Sequence, residues 1–356
     1  KALNNTVEEN IHAGAIRVGF DAKVSISNSI FKKKYTKPKN IIVMIGDGMG
    51  PNDIILSEKY SDDLYSFGLA FNDIPYNGFV TTDSLDGTTD SAASATALAT
   101  GTKTKNGMLG MNADSVAIKS VLTILQEKGL STGIVASCRI THATPASYYA
   151  HQPNRGMDAE ILGDLYANGP QVFVAGGNKL LSIESLENAG YKYVDNIADL
   201  QKQENGKVAC VLATEDMPNA LERGNEITIG TAEAIRLLEK NEKGFFLMIE
   251  GSQIDWAGHG NNAAYMQAEM KDINKVIGLC MDYADANPGT LVIVTADHET
   301  GGTTIVGENK EYKYTTGDHT GAMVPVYVYG TGAENFSGIF ENTSFKDKIL
   351  NLMQVK

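Results

Sequence analysis

From residue 40 onward the chain repeats one pattern. Short apolar runs rich in β-branched residues occur at 41–45, 132–136, 172–175, 208–212, 245–249, 291–294 and 324–328. Each has a strand's length and little alternation, which is how strands buried on both faces read. Between them lie stretches with apolar residues at helical spacing, at 115–128, 229–240 and 263–283. Strands alternating with helices predict an α/β fold, with a central, mostly parallel β-sheet flanked by helices on both faces. No internal repeat and no Pro/Ser-rich linker divides the chain after residue 40, so residues 39–356 are expected to form a single domain. Residues 1–38 have weak periodicity and end in a Lys-rich segment before Pro38, which reads as a peripheral arm.

Composition narrows the class. With 42% hydrophobic and 21% charged residues the chain resembles a soluble globular protein. No apolar run approaches the roughly 18 residues that cross a bilayer, so no transmembrane segment is expected. A formal net charge of −13 argues against nucleic acid as a dedicated partner, which would require a surplus of Lys and Arg on one face. The one basic cluster, Lys32, Lys33, Lys34, Lys37 and Lys39, reads as a solvated linker. Cys138, Cys210 and Cys280 lie in hydrophobic stretches without close spacing and read as buried structural thiols; their odd number rules out a fully paired disulfide framework.

In an open parallel sheet, functional groups gather beyond the carboxyl ends of the strands. Three apolar runs lead there to an acid: 41–45 to Asp47, 245–249 to Glu250, and 291–294 to Asp297. A single Gly-Asp-Gly is usually a turn. Three carboxylates converging on one sheet edge repel unless cations neutralise them, so the set points to metal ions. Of six histidines, His259, His298 and His319 lie close to such acids in sequence, and Asp255 and His259 share one face if their segment is helical. Mixed Asp and His ligands without Cys suit zinc at a catalytic site with one coordination position open.

A second constellation occupies 88–97, where an Ala-rich run after Asp90 and Ser91 predicts a helix starting near Ser91. Asp90 or Ser91 could be simply its N-cap. The same geometry offers free amides and a positive dipole end to an anion such as phosphate, so the two readings coexist.

Taken in order, Gly46-Asp47-Gly48-Met49-Gly50, Thr89-Asp90-Ser91-Ala92-Ala93, His142-Ala143-Thr144-Pro145-Ala146, Glu250-Gly251, Asp255 with His259, Thr295-Ala296-Asp297-His298 and His319-Thr320-Gly321 resemble the alkaline phosphatase family. The resemblance spans about residues 40 to 330 and implies the family's sandwich fold. It also implies two Zn2+ and one Mg2+ per chain: Asp255, His259 and His319 on the first zinc, Asp47, Asp297 and His298 on the second, and Asp47, Thr144 and Glu250 on magnesium. It makes Ser91 the nucleophile and Arg155 the clamp on phosphate. His142 and Trp256 stand where some bacterial members place Asp and Lys, and are assigned to substrate binding; Trp256 could instead be ordinary packing. About twenty residues separate His298 from His319, a region where larger members insert a subdomain, so a small or absent crown is expected. The implied substrates are small phosphate monoesters, with inorganic phosphate as product. The resemblance allows a homodimer and implies a periplasmic or extracellular location.

Two rivals stand beside hydrolysis of monoesters. One is a related phosphodiesterase or phosphonate hydrolase on the same metal scaffold, whose members often use Thr as nucleophile. The other is a noncatalytic phosphate- or metal-binding protein. Ser91, Arg155 and the complete magnesium set favour the monoesterase.

Overall fold

The computed structural model describes residues 37–59, 73–307 and 311–355. Most of the expected arm, with Lys32, Lys33 and Lys34, lies outside them. The seven apolar runs all become strands of one ten-stranded sheet: β1 (Asn40–Gly46), β3 (Ser131–Arg139), β4 (Val172–Gly176), β6 (Lys207–Ala213), β7 (Phe245–Gly251), β8 (Thr290–Ala296) and β13 (Val324–Gly330). β2 (Tyr76–Thr81), β5 (Tyr191–Val194) and β14 (Gly338–Glu341) complete it in the order β14-β2-β13-β8-β1-β7-β3-β4-β6-β5. All pairs from β8 to β5 are parallel; β13 runs antiparallel to both β8 and β2.

Every residue of β1, β7 and β8 is buried. Because successive side chains point to opposite faces, both faces must be covered, which explains the unbroken apolar runs. Helices Glu226–Leu238 and Ala263–Ala286 do much of this covering. β2 and β14, at one edge, are largely exposed, and their mixed sequences gave no strand signal.

The helix expected over 115–128 is confined to Val121–Glu127. The Asn112 side chain accepts hydrogen bonds from the Asp114 and Val116 amides, Met111 bridges to Ala117, and Ser115 adopts a left-handed conformation, φ 59°. A local turn thus takes the backbone groups that a longer helix would use. Ser120 then caps the helix by accepting from the Thr123 amide.

β1, β7 and β8 are neighbours, and their register sets Ile45 beside Glu250 and Gly46 beside Ala296. Their carboxyl ends are therefore level. The short segment after β8 holds a small hairpin, β10 (Thr304–Val306) with β11 (Glu311–Lys313), and the pair β9 (Glu299–Thr300) with β12 (His319–Thr320). No larger insert is present there, as the short spacing predicts.

Candidate metal centre and nucleophile

Parallel pairing delivers Asp47, Glu250 and Asp297 to one buried end of the sheet, and helix Gln253–His259 adds Asp255 and His259. Gly48 lets these elements close up. It has φ +76°, and a Cβ there would stand 2.7 Å from the Asp255 Cα, so both conformation and space require glycine. Its amide donates to Asp297 Oδ1 at 3.1 Å.

One group of ligand atoms centres on Asp255 Oδ1. His259 Nε2 lies 3.4 Å from it, His319 Nε2 3.3 Å, and the two Nε2 atoms are 3.1 Å apart. Each histidine's Nδ1 faces a carbonyl oxygen, Gly317 O at 2.6 Å and Thr89 O at 2.8 Å. A carbonyl only accepts, so each Nδ1 carries the proton and each Nε2 is left to bind a cation. Burial works against a charge on His319, but the Asp255 carboxylate overrides it and pushes the imidazole up. Burial likewise opposes the Asp255 charge, while the His319 hydrogen bond and the charges of His298 and His319 hold Asp255 well below the usual carboxylate range. His259 is the accessible member, its side chain 40% exposed, which leaves an approach from solvent.

A second group surrounds His298 Nε2, which lies 3.3 Å from Asp47 Oδ1, 3.4 Å from Asp297 Oδ2 and 3.3 Å from Ser91 Oγ. Thr300 Oγ1 donates to Asp255 Oδ1 at 2.6 Å and so receives the His298 Nδ1 proton across 3.2 Å. The His298 Nε2 lone pair therefore points at two carboxylate oxygens that have no hydrogen-bond partner, Asp47 Oδ1 and Asp297 Oδ2. Buried acceptors facing one another are costly without a cation between them. Burial, and then the charges of Asp297, Asp255 and Glu250, raise Asp47 well above its ordinary value. These are the marks of a donor set that fits a divalent ion.

The third group is more oxygen-rich. Thr144, in the four-residue helix Ala143–Ala146, donates from Oγ1 to Asp47 Oδ2 at 3.4 Å. Glu250 Oε1 is buried without a partner, and burial is the main cause pushing the carboxyl up to about 7. Cys138, read from the sequence as a structural thiol, is buried and unpaired as expected. Its Sγ, however, donates to Glu250 Oε2 at 3.2 Å, a contact that hydrophobic flanks could not announce.

Ser91 opens helix Ser91–Thr100, and Asp90 is the cap, accepting from the Ala93 amide at 2.9 Å through Oδ1. Asp90 Oδ2 takes Arg155 NH1 at 3.1 Å and the Gly107 amide at 3.0 Å. Arg155 is thereby held beside the nucleophile candidate rather than in a surface ion pair, and its NH2 lies 3.3 Å from His142 Nε2. His142 in turn meets Trp256 edge to face, ring centroids 6.0 Å apart. Burial, then the Arg155 charge, lower His142 to about 3, so it stays neutral. The structure thus gathers all the expected residues at one end of the sheet. Sequence reasoning missed Thr300, which joins the two histidine-bearing groups, and the role of Asp90 in orienting Arg155. A capping motif conceals the second role, and Thr300 gives no signal at all.

A buried centre of carboxylates and histidines with a serine at a helix N-terminus defines a metal-binding hydrolase. The family model for alkaline phosphatase matches residues 38–172 and 174–314. Alkaline phosphatase 4 of Bacillus subtilis is 31% identical, over 95% of this chain and 94% of its own length. That alignment runs over 444 positions, more than the 356 residues of this chain, so the relative carries inserted segments absent here. Alkaline phosphatase of Escherichia coli is 27% identical over 93% of the chain and 88% of its own. Among solved structures, alkaline phosphatase from the Antarctic bacterium TAB5 superposes with a TM-score of 0.84 at 35% identity, covering 90% of this chain and 99% of that one. Variants of the TAB5 enzyme are described with Mg bound in the M3 site. The chain belongs to the alkaline phosphatase family and is a phosphatase. Among the described residues no helix is long and apolar enough to cross a membrane.

Proposed function

We propose that the protein hydrolyses phosphate monoesters to an alcohol and inorganic phosphate through a phosphoserine at Ser91, with two Zn2+ and one Mg2+ as cofactors. The observation that carries this reading is the position of Ser91 Oγ, at a helix N-terminus and 3.3 Å from His298 Nε2, among the unpartnered oxygens of Asp47 and Asp297. Asp255, His259 and His319 would hold the first zinc, Asp47, Asp297 and His298 the second, and Asp47, Thr144 and Glu250 the magnesium. When bound, these ions supply positive charge for the phosphoryl oxygens, the leaving oxygen and the attacking oxygen.

The chain's own residues do the rest. Arg155, braced by Asp90, grips two nonbridging oxygens of the phosphoryl group in a fork that lysine does not reproduce. The amides at the start of helix Ser91–Thr100 face the same anion. Ser91 Oγ gives its proton to solvent and bonds to phosphorus as the bond to the alcohol oxygen breaks, and the departing oxygen takes up a proton from solvent to leave as the alcohol. Water then bonds to phosphorus from the vacated side as the Ser91 Oγ–phosphorus bond breaks, and a proton from that water, passed through solvent, restores the Ser91 hydroxyl as phosphate is released. The exposed face of His259 leaves room for the alcohol to depart, and His142 with Trp256 borders the pocket on the Arg155 side.

The test is acid quenching during turnover of p-nitrophenyl phosphate, followed by mass analysis. The expected outcome is one phosphoryl group on the peptide containing Ser91, absent in Ser91→Ala, whose turnover falls by at least ~10³-fold while its metal content is kept. Full turnover in that variant would reject Ser91 as nucleophile. Faster cleavage of bis(p-nitrophenyl) phosphate than of the monoester would favour the phosphodiesterase instead. The reading includes residues 39–356 as one catalytic domain, a homodimer, and a periplasmic or extracellular location. Sedimentation and cell fractionation check the last two.

A further inference from the structure

His319 belongs to a strand of only two residues. In the register of β9 with β12 it lies opposite Thr300, and Thr320 lies opposite Glu299. Directly opposed side chains of an antiparallel pair share a face, and successive ones alternate. One face therefore turns His319 and Thr300 toward the histidine-bearing groups, where Thr300 Oγ1 meets Asp255 Oδ1 and His298 Nδ1. The other turns Glu299 and Thr320 away from them.

The Glu299 side chain is buried, and both its carboxylate oxygens accept. Oε1 takes the Thr303 amide at 3.0 Å and Oε2 takes the Thr320 hydroxyl. Thr320 Oγ1 itself accepts from the Ala322 amide at 3.4 Å, which leaves its proton for Glu299. The carboxylate is also boxed in. A Cβ on Gly50 would stand 2.3 Å from Glu299 Cγ, so only glycine lets the segment after Asp47 pass this close. That segment is tied down in turn: Asn52 Nδ2 donates to Thr303 O at 2.6 Å, and Asp53 accepts from the Gly50 amide at 2.9 Å and from the Tyr312 hydroxyl at 2.5 Å.

Resting on the first zinc site proposed above, we infer that Glu299 is a positioning residue: through the Thr320 hydroxyl it fixes the strand that carries His319 and so raises the affinity of the first zinc. A two-residue ladder offers few backbone hydrogen bonds, whereas a ligand must be held to within about 0.5 Å of its working position. Glu299 supplies the missing constraint from the face opposite the ligands. Because Glu299 follows His298 in the chain, it also ties the strand of His319 to the segment that carries the ligands of the second zinc.

The test is zinc binding by metal-depleted protein against a competing chelator, with bound metal measured directly. Thr320→Val keeps the shape of the side chain and removes the donor. One zinc ion is expected to bind it ~10- to 100-fold more weakly, the usual effect of losing a partner that orients a ligand, and the other as in wild type. His319→Ala should lose one zinc, and adding Thr320→Val to it should leave the affinity of the remaining zinc unaltered, which assigns the effect to the first site. Glu299→Gln keeps an acceptor for the Thr303 amide and offers its own amide to Thr320 Oγ1, so it should recover most of the affinity that Glu299→Ala loses. Unchanged zinc affinity in Thr320→Val, with or without a lower thermal midpoint, overturns the inference, as does equal weakening of both zinc ions. Wild-type protein that forms the phosphoserine while Thr320→Val binds zinc normally sinks this inference and leaves the proposed function standing; wild-type protein that binds no zinc overturns both.

Discussion

Two clusters of buried charge can be set side by side. In the first, Arg223 lies between Glu269 and Asp272, and all three are buried. Its Nε donates to Asp272 Oδ2 at 2.9 Å, NH1 to Glu269 Oε1 and to Pro218 O, each at 3.0 Å, and NH2 to Asp272 Oδ2 at 2.8 Å and to Glu269 Oε2. Burial opposes the guanidinium's charge, but its bonds to the two carboxylates override that and raise it further. This cluster carries a cation of its own that bonds both carboxylates, leaving Asp272 Oδ1 as the one carboxylate oxygen among the three residues without a partner, and it pins the loop before helix Glu226–Leu238 to helix Ala263–Ala286. In the second, Asp47, Glu250, Asp255 and Asp297 converge with three histidines, and Arg155 lies nearby. Three of its carboxylate oxygens have no partner. A closed cluster of this kind holds a fold together; an open one is completed only by what it binds.

That contrast is strongest at the metals. Chelation is expected to abolish turnover, with recovery on adding Zn2+ together with Mg2+, and to lower the thermal midpoint because the ions bind the folded state alone. Activity that survives exhaustive chelation, with no metal by elemental analysis, would erase the distinction. Arg223→Ala should do the opposite: a loss of ~3–5 kcal/mol in unfolding free energy, from stranding two buried carboxylates, with turnover per folded molecule unchanged. Denaturant unfolding and active-site titration measure the two sides. A third, smaller effect belongs to Arg155 beside the open cluster. Arg155→Lys keeps the charge but loses the fork, so kcat/KM for p-nitrophenyl phosphate should fall by roughly 10- to 100-fold, the value of one or two charged hydrogen bonds.

The smallest effect concerns His142. Its folded value near 3 lies below the ordinary 6.5, through burial first and then the Arg155 charge. Between those two pH values the unfolded chain binds a proton that the fold refuses, so stability declines as pH drops below about 6.5. In metal-depleted protein, His142→Gln should move the acid unfolding midpoint to lower pH. A midpoint unchanged or raised would show that His142 already titrates in the fold.

Much of the architecture could be read directly, because burial on both faces makes a strand's composition unambiguous. Each of the seven apolar runs found its place in the sheet. Where burial is partial, as in β2 and β14, composition is mixed and no periodicity signalled the strand. The helix over 115–128 was overextended because apolar spacing says nothing about the Asn112 turn that competes with it.

The site divides in the same way. Chemistry at the strand ends was legible because Asp47, Glu250 and Asp297 directly follow or end strands, so residue type and position coincide in the chain. Sequence by itself determined which side chains are available and that they gather at one sheet edge. Only the tertiary structure decided which atoms meet: Thr300 between Asp255 and His298, Asp90 against Arg155, and Cys138 against Glu250. These pairs are short and directional, and all but the link from Thr300 to His298 join residues 45 or more positions apart. Spacing along the chain carries no information about such contacts until parallel strands and the turns after them have fixed every backbone in place.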